Sequence, residues 1–195
     1  VSLHERTSLL DPDAVGLIEV KANAEPVLQR SFAFHLGKKK THVIQVGDPA
    51  GIHYSYDLKQ GAILQVWRGK FLDATQMWDN RGEPQTSEPL GLNVVQDGKF
   101  PLVLAHQVQP DSTELVYKGY RLEAGRPVFM YDWTAAKLWV EDRIQPAGNG
   151  LRRTLSLVGA SPQKSDVEAV LATGHHLSIL QNGLASQPGN FIEWK

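Results

Sequence analysis

From Val15 onward the chain is a succession of short β-rich runs separated by Gly, Pro, Asn or Asp. The runs fall at 15–22, 27–35, 41–47, 52–58, 62–68, 102–107, 115–122, 127–133, 137–145, 151–159, 167–172 and 176–181. No long stretch carries the 3.6-residue period of a helix, and the only helical candidate is a turn or so around Asp73–Trp78. Short strands at this spacing lead to an all-β, mainly antiparallel β-sandwich with little helix. A large supersandwich of the kind seen in sugar-active proteins suits the number of strands, and a closed barrel suits it less. Residues 1–14, polar and broken by Asp11-Pro12-Asp13, read as a lead-in, and 15–195 as a single domain. A long irregular connection is expected at about 69–100, where Pro84, Pro89 and several glycines sit among few β-branched residues. Such connections are usually functional or mobile.

Two hairpins can be given a register. In 52–58, Ile52, Tyr54, Tyr56 and Leu58 share one face and His53, Ser55 and Asp57 the other. A three-residue loop Lys59-Gln60-Gly61 pairs residues whose numbers sum to 120, placing Tyr56 opposite Leu64, Tyr54 opposite Val66, His53 opposite Trp67 and Ser55 opposite Gln65. A two-residue loop would set apolar against polar throughout. In 137–145 and 151–158, a turn centred on Pro146-Ala147-Gly148-Asn149 pairs residues summing to 295, with Ile144 opposite Leu151 and Asp142 opposite Arg153. Asp142 then falls in an apolar stripe, where a carboxylate is costly unless paired, so an Asp142–Arg153 ion pair is predicted. A third hairpin turns at Ala124-Gly125 with its register open between a two- and a three-residue loop. Asn182-Gly183 is a further tight-turn signal. Trp194 is expected to pack the last strand onto the core. Lys38-Lys39-Lys40, just after Gly37, reads as a turn between strands.

Composition bounds the function. A net charge of −1 excludes a bulk basic surface for nucleic acid. The absence of cysteine excludes disulfides, thiolate metal sites, covalent haem and a cysteine nucleophile within these residues. No apolar run reaches the roughly 18 residues of a membrane-spanning helix, so no membrane insertion is expected. No Walker, GxGxxG or GxSxG motif occurs, and no cofactor is implied. The histidines are scattered without HxH or HExxH spacing; His53 and Asp57 share a face but lie about 13 Å apart along a strand, so no metal site is expected. The chain opens on Val1 with no charged-then-apolar leader, as expected of a trimmed or mature fragment.

The chemistry-bearing residues concentrate between Gly51 and Gly82. Sugar rings stack their C–H faces on Trp or Tyr, and their hydroxyls take bonds from Asp, Arg, His and Gln. Trp67, Trp78, Asp57, Asp73, Arg68, Arg81 and His53 supply that mixture around one hairpin end, and they are the expected ligand-binding residues. Tryptophans in β domains also commonly fill the core. The acid–base alternative needs two carboxyl groups about 5–10 Å apart, for which Asp57, Asp73, Asp79 and Glu83 are best placed. A third reading is a structural module that docks neighbouring domains through the aromatic patch.

The runs GIHYSYDL, QVWRGKFLDATQMW, RGEP and EPLG, followed by GYRLEAGRPVFMY and GLRRTLSL, resemble a β-rich domain of uncharacterised activity in large exported multidomain bacterial proteins. The resemblance spans about residues 30–160. In those proteins the domain stands beside c-type cytochrome or sugar-dehydrogenase-like modules. The resemblance implies an exported setting, periplasmic or extracellular, and sugar-related neighbours; it carries over no catalytic residue. The resulting expectation is a noncatalytic carbohydrate-binding or accessory module. A glycan-active hydrolase or lyase and a domain-docking module are the alternatives.

Overall fold

A computed structural model describes residues 16–79, 85–104 and 114–158, together with the backbone of 167–169, 179–181 and 192–193. The strands in chain order are β1 (Glu19–Val20), β2 (Val27–His35), β3 (Lys38–Gly47), β4 (Ile52–Asp57), β5 (Ala62–Asp73), β6 (Glu88–Val95) and β7 (Leu102–Leu104). There follow β8 (Leu115–Glu123), β9 (Arg126–Trp133), β10 (Leu138–Ala147), β11 (Gly150–Val158), β12 (Val167–Ala169), β13 (Ile179–Gln181) and β14 (Ile192–Glu193). Among the described residues there is a single short helix, α1 (Thr75–Trp78), which follows β5. The protein is all-β and sandwich-like. One six-stranded sheet runs β1-β5-β4-β3-β2 with β6 on β5; the other runs β13-β11-β10-β9-β8 with β14 on β11. Strands β7 and β12 form a separate pair. The pairings are antiparallel except for β11 with β13.

The alternation read from the sequence directs the apolar stripe of each sheet into one core. Ile44, Val46, Ile52, Tyr54, Tyr56 and Val66 of the first sheet meet Phe129, Tyr131, Val140, Ile144, Leu155 and Leu157 of the second. Tyr56 and Phe129 stack with ring centroids 4.0 Å apart.

The turns account for the differences from the sequence reading. Lys38–Lys40 belongs to β3 rather than to a turn. Leu36 and Gly37, both at positive φ (47° and 76°), make the two-residue connection, the backbone that right-twisted hairpins favour. Ala124 and Gly125 do the same between β8 and β9, so Glu123 faces Arg126 and the two-residue loop is the one formed. Between β10 and β11, Gly148-Asn149 is a two-residue loop with Gly148 at φ 54°. The pairs therefore sum to 297, not 295, and Ile144 faces Arg153. The shift of two preserves the faces, so Asp142 and Arg153 still lie together in the core.

The register of β4 with β5 follows the sum of 120 from Ile52 to Ser55, with His53 opposite Trp67 and Ser55 opposite Gln65. A bulge then places Tyr56 opposite Ile63 rather than Leu64. Leu64 packs with Ala33 and Val43. The expected irregular connection at 69–100 is largely ordered: 69–73 extend β5 and 88–95 form β6. Asn182-Gly183 and Trp194 lie outside the described residues.

Candidate functional site

The second face of the β4–β5 hairpin, read from the sequence as a surface, is an interior. His53, Ser55, Asp57, Gln65 and Trp67 are all buried. The reason lies in the chain before β6. Thr86 makes a parallel bridge to Phe32 of β2, and the Ser87 N–H donates to the Phe32 carbonyl at 3.1 Å. As β6 also pairs along β5, the circuit β2-β3-β4-β5-β6 returns on itself and encloses that face.

Polar side chains inside such an enclosure must find one another. They do so in a row across five strands. Asn93 Nδ2 donates to Gln65 Oε1 (2.9 Å), and Gln65 Nε2 donates to Ser55 Oγ (3.1 Å). The Ser55 hydroxyl donates to Gln45 Oε1, and Gln45 Nε2 donates to Ser31 Oγ (3.1 Å) and Ser87 Oγ (3.3 Å). The Ser87 hydroxyl donates to Ser31 at 2.7 Å.

The predicted binding residues are thus distributed by the fold rather than gathered. Trp67 is only 1% exposed, and its indole N–H donates to the Phe71 and Lys70 carbonyls, leaving no face for a ligand. Asp57 pairs with Lys40 at 3.1 Å and accepts the Lys59 and Gln60 N–H groups, closing its own turn. Asp73 accepts the Thr75 N–H at 2.8 Å at the start of α1. His53 Nδ1 accepts the Asp48 N–H at 3.0 Å. Its proton therefore sits on Nε2, which donates to the Gly69 carbonyl at 2.9 Å. Burial pushes the His53 pKa down, against the Gly69 bond and the Asp48 charge that act to raise it. Arg68 is exposed and donates to the Asn149 carbonyl. Trp78 is half exposed, and Arg81 and Glu83 lie outside the described residues. The structure brings His53 and Trp67 together, as ring neighbours 5.7 Å apart within the interior. Among the described residues no three His, Asp or Glu side chains converge to hold a metal.

An open cavity of about 280 Å³ lies at one mouth of the enclosure. It is lined by Arg30, Ser31, Phe32, Thr41, His42, Val43, Leu58, Met77 and Gln85. Its origin is local. Between the pairs Ser31–Val43 and Ala33–Lys40, Phe32 alone opposes both Thr41 and His42. Such a bulge re-aims side chains and is frequent beside sites. Thr41 and His42 are exposed there, and Thr41 Oγ1 lies 3.0 Å from His42 Nδ1. Met77 enters from α1, which the Thr86 hydroxyl ties down by donating to Gln76 Oε1 at 3.1 Å. Gln85 is held at φ 53°, a left-handed conformation uncommon outside glycine and recurrent at ligand clamps. Arg30 is exposed and makes no ion pair among the described residues.

Of these residues only Leu58 and Met77 lie within the aromatic stretch that the sequence singles out. They come from separated positions with no motif. The available signal was an arginine and a phenylalanine flanking Ser31 in a strand otherwise built for burial. Comparison with protein-family models, with curated proteins and with solved structures gives no match to this chain. No helix among the described residues is long and apolar enough to cross a membrane.

Proposed function

We propose that the protein is a noncatalytic binding module that takes a carbohydrate in the cavity formed by the β2–β3 bulge, α1 and Gln85. The observation carrying this reading is the lining itself: Phe32, Leu58 and Met77 offer apolar surface, while Arg30, Thr41, His42 and Gln85 offer hydrogen-bonding groups. That is the mixture a sugar ring requires, in a volume at the small end of the roughly 300–1,000 Å³ typical of ligand pockets. The half-exposed Trp78 follows Met77 directly and belongs to the same neighbourhood of the chain.

Five of the described carboxylates are committed to cationic partners, which favours binding over acid–base turnover at those positions. A general acid needs its pKa raised toward the working pH. Asp57 is buried and committed to Lys40, Asp48 to Arg126 at 2.6 Å, and Asp142 to Arg153 at 2.7 Å. The Arg143 hydrogen bond holds the Glu123 carboxyl below its ordinary range, and the Arg121 hydrogen bond does the same for Glu141. Glycan-array screening followed by calorimetry tests the reading. Binding lost in Phe32→Ala and Met77→Ala with an unchanged melting temperature supports it; turnover of an oligosaccharide would replace it with the hydrolase or lyase reading.

A second reading, docking of an extended segment from a neighbouring domain, is favoured by β6. The Gln96 N–H donates to the Leu64 carbonyl at 2.8 Å, so even-numbered residues of this strand face β5 and the backbone of Gly91, Asn93 and Val95 faces outward. Leu92, Val94 and Val95 are 82%, 59% and 52% exposed. Among the described residues no further strand pairs with this edge, and an edge with apolar side chains is suited to strand addition. Pro89 lacks the N–H an added strand would use, which limits the available edge to its Gly91–Val95 end. Loss of partner-domain binding in a Leu92→Lys, Val94→Lys variant is the expected outcome in a pull-down with flanking domains.

A further inference from the structure

We propose that the tip of the β2–β3 hairpin docks on a membrane surface, seating Phe34 and Leu36 in a bilayer that carries anionic lipids. The contact is shallow, needs no membrane-crossing element, and is independent of the carbohydrate reading of the cavity.

The tip is apolar where a hairpin end needs no apolar group. Phe34 is 52% exposed and Leu36 69%, although turns facing water are dominated by Gly, Asn, Asp and Ser. Leu36 is also poorly suited to its backbone. It sits at φ 47° with Gly37 at φ 76°, the pair of left-handed conformations that Asn-Gly or Asp-Gly supplies with least strain. A leucine there is uncommon. The matching position of the β8–β9 turn carries Ala124 at φ 48°, so this backbone does not itself call for a large side chain. Leu36 is thus exposed and strained together, which points to a role for its side chain outside the fold.

Basic residues follow directly. Gly37 is succeeded by Lys38, Lys39 and Lys40. Lys40 turns to Asp57 at 3.1 Å and serves the fold. Lys38 is exposed beside the turn, and Lys39 is the backbone partner of Phe34. The Lys39 ammonium stands 4.8 Å from the centroid of the Phe32 ring, so it reaches back from the tip. Phe34 and Leu36 lie two and four residues beyond Phe32, about 7 and 13 Å further along the chain at the rise of a strand. Interfacial elements sink roughly 5–10 Å into the boundary between headgroups and acyl chains. A hairpin entering to that depth puts Leu36 and Phe34 among acyl carbons and leaves the Lys39 ammonium level with the phosphates. A bilayer surface presents that order, apolar below and anionic above, without any shaped groove.

The test uses the full chain with vesicles of phosphatidylcholine alone and of phosphatidylcholine mixed with phosphatidylglycerol. Co-sedimentation should be stronger with the mixed vesicles and should weaken as salt is added. Leu36→Asn should lower partition roughly 10-fold while keeping or raising the melting temperature, because asparagine suits the left-handed position. A leucine serving only the fold would do the reverse. Lys38→Gln should weaken binding to the mixed vesicles about fivefold, one lysine's share, and leave the neutral vesicles unaffected. The chain has no cysteine, so Leu36→Cys and the exposed Leu122→Cys of β8 can each carry one polarity-sensitive fluorophore. Only the label at position 36 should report apolar surroundings when vesicles are added. No partition into either vesicle, equal partition into both, partition that survives Leu36→Asn, or the same response from both labels overturns the proposal. Capture of a protein through Phe34 and Leu36, with vesicles left unbound, assigns the tip to a protein interface and overturns it too.

Discussion

Arg153 reaches Asp142 along a diagonal of the β10–β11 ladder, since their backbone partners are Ile144 and Leu155. Both arginine nitrogens converge on the carboxylate, Nη2 at 2.7 Å and Nε at 3.0 Å, in a site only 0–2% exposed. The Tyr56 hydroxyl donates to the same carboxylate at 2.6 Å, and Arg153 Nη2 donates to the Gly61 carbonyl at 2.7 Å. The pair therefore fastens the second sheet to the β4–β5 hairpin of the first. Burial is the largest influence on Arg153 and lowers its pKa, but the Asp142 charge and hydrogen bond together with Tyr56 and Tyr131 outweigh it and hold the group above its ordinary value.

Arg153→Met leaves a carboxylate buried without its partner and should cost roughly 3–5 kcal/mol. Asp142→Leu combined with Arg153→Met should recover most of that loss, because no charge then remains in the core. Urea unfolding of the two variants measures the difference. A double variant no more stable than the single one would show that the pair contributes more than mutual neutralisation.

His53 makes stability depend on pH in a defined direction. Its folded pKa lies below the ordinary value of 6.5, so the unfolded chain takes up a proton near pH 6.5 that the folded chain refuses until the pH is lower. Stability is flat in this respect above that window and declines as the pH falls through it. His53→Asn should lessen the slope of unfolding free energy against pH between about 5 and 7. An unchanged slope would assign the dependence to other groups.

The two tryptophans of the central stretch should behave oppositely. Trp67→Ala removes a side chain packed against Phe71 and should cost roughly 3–5 kcal/mol. Trp78→Ala, at a half-exposed position, should change stability by about 0.5 kcal/mol or less. Denaturation midpoints for the pair check this. Any loss of ligand in Trp67→Ala should then track unfolding, whereas a loss in Trp78→Ala would be a contact effect.

Gly91 is needed for space. A Cβ there would lie 1.8 Å from the Arg68 carbonyl oxygen, which is backbone and cannot swing aside. Gly91→Ala should lift β6 from β5 around Arg68 and Gly69, exposing the Asn93–Gln65 end of the polar row. Hydrogen exchange should show faster exchange at the β6 amides that face β5, Leu92 and Val94 among them, with β9 and β10 amides unaltered.

Period-two alternation was enough to assign the faces of β4, β5, β10 and β11 and to place Asp142 beside Arg153. It could not separate pairings that differ by two residues, because both put the same side chains inward; Gly148 at positive φ settled that choice. The site was less legible for a different reason. His53, Asp57 and Trp67 look like a surface until Thr86 and Ser87 cross to Phe32, and that contact spans more than fifty positions of sequence. Arg30, His42, Met77 and Gln85 meet only through the same crossing and the Phe32 bulge, so no local pattern joins them.

The polar row from Ser31 to Asn93 does something the apolar core cannot. Slipping β3, β4 or β5 by two positions would keep oil against oil, yet it would break the bonds that join Gln45, Ser55 and Gln65, at about 1–3 kcal/mol for each group left unpaired. The row works as a key cut for one alignment. Errors of assembly that hydrophobicity alone would tolerate are rejected strand by strand, and the bulge that shapes the cavity is delivered to the same place each time the chain folds.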